Sequence, residues 1–111
     1  FFKRTKEDKK AVQSYKQCIS LDQNHFAAVM ALATLLGNDG EHQKAAKYFR
    51  HATKIDPTNV QAMFGLGKTL QNISDNKDAA IECFEFVLSK EPENYKALCQ
   101  LAISYMDKQS F

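Results

Sequence analysis

The sequence predicts an all-α fold built from antiparallel helix pairs, an α-solenoid of about six helices, and three observations predict it. First, one punctuation is written three times: SLDQNH at 20–25, KIDPTN at 54–59 and SKEPEN at 89–94. Second, the spacing is regular, with 34 residues from Gln23 to Pro57 and 35 from Pro57 to Pro92, the range in which helical repeats occur. Third, each interval holds two apolar stripes at helical spacing, separated by a short polar turn, as expected for two helices that bury one face each.

The elements follow in order. A first helix over about 6–21 opens in a charged run and carries Ala11, Tyr15 and Cys18; it stops at Gln23, a softer signal than proline. A second, over about 25–36, has Val29, Leu32, Ala33 and Leu36 on one face. GNDG at 37–40 is the next turn, and its two glycines can supply the positive φ of a tight connection. Ala45, Ala46, Phe49 and Ala52 mark a third helix over 42–54, ended by Asp56-Pro57 because the residue before proline is biased away from helical angles. Asn59 is placed to cap a fourth helix over 60–72, with Met63, Leu66, Gly67 and Leu70 inward. SDNK at 74–77 turns into a fifth over 77–90, marked by Ala80, Ile81, Phe84, Val87 and Leu88 and ended by Glu91-Pro92. Asn94 caps a sixth over 95–107, where Leu98, Leu101, Ala102 and Tyr105 repeat the stripe. The unit over 60–94 has one extra residue, expected in its turn, since both helices keep their internal spacing.

Aligned, the units read Val29-x-x-Leu32-Ala33-x-x-Leu36, Ala45-x-x-x-Phe49, Pro57, then Met63-x-x-Leu66-Gly67-x-x-Leu70, Ala80-x-x-x-Phe84, Pro92. This resembles the tetratricopeptide repeat, whose pattern is a large residue, Leu-Gly and an aromatic, then Ala-x-x-x-Phe, then Pro. The resemblance covers the whole chain as one solenoid segment: a partial repeat at 1–25, full repeats at 26–59 and 60–94, and a partial repeat at 95–111. It implies a right-handed superhelix. Small residues at 33, 67, 102, 45 and 80 let paired helices approach closely, while Tyr15, Phe49 and Phe84 are expected buried. Cys18, Ala52 and Val87 are expected to face the first helix of the following unit.

Composition excludes several classes. The 15 basic and 13 acidic residues leave +2 overall, with +3 on residues 1–10 and −1 on the rest, which argues against nucleic acid as the partner. No apolar run reaches the roughly 18–20 residues of a membrane span, so no membrane insertion is expected. Cys18, Cys83 and Cys99 are odd in number and lack a C-x-x-C pair, which favours reduced, buried thiols and an intracellular, cytoplasmic setting. The chain begins at Phe1 rather than Met and reads as an excerpt. His25, His42 and His51 fall on a junction, a turn and a helix exterior without a second ligand nearby, and neither GNDG nor the Asn72-Ile73-Ser74 sequon carries a site. No metal, cofactor or catalytic centre is implied.

What remains is surface. The resemblance implies that first helices line a concave groove, where Ala27, Met30, Thr34, Asn38, Gln61, Phe64, Lys68, Gln71, Lys96, Cys99, Gln100 and Ile103 would project. Family members that hold the acidic C-termini of chaperones use Lys, Arg and Asn at these places. Here Met30, Ala31, Thr34 and Gly65 stand in several of them, so the groove reads instead as apolar at its centre with amide and Lys edges. It suits a partner segment anchored by apolar side chains on Met30 and Phe64. The competing expectation is that Met30 and Phe64 pack against each other. On the second helices, Lys47, Arg50, His51 and Lys54 read as a solvated exterior whose ion pairs with Glu82 and Glu85 are worth about 0–1 kcal/mol each.

The function expected is a protein–protein interaction scaffold within a multiprotein complex, binding a protein or peptide. The alternatives are a structural spacer in a longer solenoid, or docking repeats of an enzyme whose catalytic domain lies elsewhere. End-to-end self-association is expected from open apolar faces at both termini, including Phe1, Phe2, Leu98, Leu101, Tyr105 and Phe111.

Overall fold

In the computed structural model, residues 6–73 and 77–109 are described, and all of their regular structure is helical. The helices are α1 (Lys6–Leu21), α2 (Phe26–Asn38), α3 (His42–Ile55), α4 (Val60–Gln71), α5 (Lys77–Lys90) and α6 (Tyr95–Gln109). Phe1, Phe2 and Phe111, expected to expose apolar surface, lie outside the described residues, as does most of the SDNK turn.

The three punctuations perform one local task. After α1, α3 and α5 the junctions 22–25, 56–59 and 91–94 have the same length, and the last residue of each caps the next helix. Asn59 Oδ1 accepts from the Ala62 N–H at 2.9 Å, and Asn94 Oδ1 from the Ala97 N–H at 3.0 Å. At the first junction the cap is a histidine: His25 Nδ1 accepts from the Ala28 N–H at 3.1 Å. Each bond satisfies an amide that the first helical turn leaves without a partner. In the GNDG segment only Gly40 takes a positive φ, +85°. Gly37 belongs to α2, where a Cβ would meet Ala45 Cβ at an ordinary 3.7 Å. One left-handed residue suffices because α2 runs two residues further than the stripe suggested.

The chain divides into two units, Phe1–Thr58 and Asn59–Phe111. In the first, α2 packs against both α1 and α3. Val12, Ala28, Val29, Leu32, Ala33 and Leu36 meet Ala45, Ala46, Phe49 and Ala52 in its core. In the second, α5 packs against both α4 and α6, with lighter contact between α4 and α6. Ala62, Leu66, Leu70, Ala80, Ile81, Phe84, Val87 and Ala97 fill that core. Burying a Leu, Val or Phe side chain contributes roughly 1.5–3 kcal/mol.

Repeat positions differ in burial according to how many helices flank them. Phe49 is 5% exposed and Phe84 fully buried, but Tyr15 is only half-buried, since α1 is packed on one side alone. Likewise Ala33 and Gly67 are buried whereas Ala102 on α6 is exposed. Of the three thiols expected to be buried, Cys83 is buried, whereas Cys18 is half-buried and Cys99 exposed.

Candidate functional site

The first helix of a pair has one face against the second helix and another left over. On α2 in the first unit, Met30 is half-buried, while Ala27, Thr34 and Asn38 are exposed. The Thr34 hydroxyl donates to the Met30 carbonyl at 2.9 Å, which turns the side chain back onto its own helix.

In the second unit, α4 and α6 present their leftover faces. Phe64 is half-buried, with its inner edge on Phe84: the rings stand 5.7 Å apart at 64°, an edge-to-face contact. Over the Phe64 ring lies the Lys68 ammonium, 5.7 Å from the centroid, in cation–π geometry. Gln61 beside them is exposed, as are Lys96, Cys99 and Ile103 on α6. The result is a surface with an aromatic centre and cationic edges, capable of holding an apolar side chain with an acidic neighbour.

Gln71 and Gln100 have a different situation. The Gln71 amide nitrogen donates to the Gln100 carbonyl at 2.9 Å and to the Ser104 hydroxyl at 2.7 Å, tying α4 to α6. Ser104 is completely buried, so this bond satisfies a group that would otherwise be costly to leave dry. Sequence reading placed Gln71 at the groove edge and passed over Ser104. The available signal was its repeat position, which corresponds to Thr69, a second buried hydroxyl whose partner is the Gly65 carbonyl at 2.8 Å.

His25 and His51 are engaged with backbone. Beyond the cap at His25, His51 Nε2 lies 2.6 Å from the Gln23 carbonyl, an acceptor, so Nε2 carries the proton and α3 is pinned to the α1–α2 junction. Among the described residues no group of three His, Cys, Asp or Glu is placed to hold a metal, and no helix is long and apolar enough to cross a membrane.

This helix-pair plan has relatives. The family model for the tetratricopeptide repeat matches residues 1–25 and 27–59, about half of the chain. The chain belongs to the tetratricopeptide repeat family. It is similar to the CTR9 homolog of Arabidopsis thaliana, 34% identical over 79 residues, covering 71% of this chain and 7% of that protein. It is also similar to the peroxisomal targeting signal receptor of Candida albicans, 35% identical over 74 residues, covering 67% and 12% respectively. The photosystem I assembly protein Ycf3 of Acaryochloris marina is 27% identical over 79 residues, covering 68% of this chain and 48% of that protein. The chain thus spans less than half the length of each. Among solved structures, one of MamA superposes with a TM-score of 0.85 at 22% identity, over 96% of this chain and 67% of that one. Family and fold together make the chain an α-solenoid of tetratricopeptide helix pairs, a protein-interaction scaffold by class.

Proposed function

We propose that the leftover faces of the first helices receive a segment of a partner protein, anchored by apolar contact and oriented by lysine. The observation that carries this reading is the Phe64–Lys68 arrangement, an aromatic ring held at the surface with an ammonium above it. Met30 and Thr34 on α2 are the repeat equivalents of Phe64 and Lys68, and Cys99 on α6 the equivalent of Phe64. Asn38 would bound the surface of the first unit, and Gln61 and Lys96 that of the second, with Gln71 and Gln100 as its support. Relatives named as a targeting signal receptor and as an assembly protein support a role in holding another polypeptide. The setting proposed with it is cytoplasmic, within a larger assembly.

A second reading is favoured by one contact. The edge of Phe64 on Phe84 would serve equally well in a spacer whose first helices bind nothing.

Peptides selected from a displayed random library on the intact chain separate the two. The expected selection carries an apolar anchor with acidic flanks, and Phe64→Ala weakens it by roughly tenfold or more, as for a hot spot. If selected peptides bind Phe64→Ala as well as the parent while its melting falls as far as that of Phe84→Ala, the ring is core and the spacer reading stands.

A further inference from the structure

Lys16, on α1, comes together with Lys47, Arg50 and Lys54, on α3, along one groove of about 600 Å3 within the first unit. The sequence suggested no such grouping, because Lys16 stands 31, 34 and 38 residues before the other three. All four side chains are exposed, and among the described residues of the first unit no carboxylate forms an ion pair with any of them. No Asp or Glu lines the groove. The whole chain has a net charge of only +2, so the residues outside this groove are net acidic. The cations are therefore concentrated here, where their potentials add. Beneath them the half-buried Ile19 and Tyr48 form an apolar floor.

We propose that this groove is a second docking site, on the second-helix side of the repeats, for an acidic protein segment that carries an apolar residue between its carboxylates. Four charges around a floor this small fit a short stretch of polypeptide. Its carboxylates would accept charge-assisted bonds from Arg50 and the lysines, and its apolar side chain would lie on Ile19 and Tyr48. An anionic membrane would satisfy the charges but leave that floor unused, and a nucleic acid, which could stack a base on Tyr48, would meet a net acidic remainder of the chain. The site is independent of the first-helix surface proposed above.

The test measures fluorescence anisotropy of a labelled peptide, glutamates flanking a central Leu-Phe pair, with the intact chain at low and moderate salt. The double substitution K47E/R50E changes two exposed side chains and is expected to retain the parent's circular dichroism. It should weaken binding about tenfold or more, as should replacing the peptide's glutamates by glutamines, and rising salt should weaken the parent's binding. Because such a peptide also suits the Phe64–Lys68 surface, the comparison is made in a Lys68→Glu background, where the binding that remains is read as the groove's. The proposal is overturned if, in that background, adding K47E/R50E leaves binding unchanged, or if Lys68→Glu alone abolishes binding of the peptide. It is also overturned if oligouridylate or phosphatidylserine vesicles bind more tightly than the peptide and lose that binding in K47E/R50E, which would make the groove a nucleic-acid or membrane surface.

Discussion

Gly67 shows how narrowly a single position can be set. A Cβ added there would lie 2.9 Å from Phe84 Cε1 and Cζ and 3.1 Å from Cys83 Cβ. Phe84 is fully buried, so its ring has nowhere to retreat. Gly67→Ala is therefore expected to destabilise by about 1–3 kcal/mol despite the better helix propensity of alanine, seen as a lower midpoint in urea. Ala45 and Ala80 are equally enclosed, both at 0% exposure. Ala45→Arg or Ala80→Arg should cost at least ~3 kcal/mol, since overpacking adds to burial of an unpaired charge; melting followed by circular dichroism checks it. Phe84→Ala should cost about 3–5 kcal/mol, and Phe64→Ala less, because Phe64 is only half-buried. The urea midpoints of the two variants give that order directly.

Among the elements, α6 depends most on polar attachment. Its contacts run to α5 and, more lightly, to α4, and one of the α4 links is the Gln71 amide on Gln100 and Ser104. A second polar tie joins α6 to α5 at the surface, where the Tyr105 hydroxyl donates to Glu85 at 3.0 Å. Gln71→Ala should remove about 0.5–1.5 kcal/mol per lost bond and speed hydrogen exchange in α6 more than in α4 or α5. Equal acceleration in all three helices would mean the amide stabilises the unit as a whole. Asn59→Ala and Asn94→Ala should each lower stability by about 1 kcal/mol, with the first turn of α4 or α6 the first to exchange.

At the scale of the whole molecule, one face stands open. Leu36 and Leu70 are at most 2% exposed and Val29 fully buried, whereas on α6 Tyr105, in register with the two leucines, and Leu98, in register with Val29, are 44% and 50% exposed. Met106 and Tyr95 extend that surface at 65% and 69%. Helical repeats bury such faces only against a neighbour. The 111-residue chain should therefore self-associate with rising concentration in sedimentation velocity, and the pair Leu98→Lys with Tyr105→Glu should abolish it. A chain that stays monomeric at millimolar concentration would show that α6 tolerates this exposure.

The sequence by itself determined the six helices and most of their ends, though not the last turns of α2 and α6, because those signals are local: a proline or its substitute stops a helix, an asparagine caps the next, and a stripe with helical period names the buried face. It also determined the family, since the spacing of small and aromatic residues records which helices must touch. Tyr15 and Ala102 were misjudged because burial depends on flanking helices rather than on position within a repeat. The candidate surface was legible only as positions; that Lys68 covers Phe64 while Gln71 turns aside to Ser104 depends on rotamers and on neighbours far along the chain. Only the tertiary structure gathered Lys16 with Lys47, Arg50 and Lys54. Charges far apart along the sequence line one groove because α1 and α3 both pack on α2, and no local rule encodes that proximity.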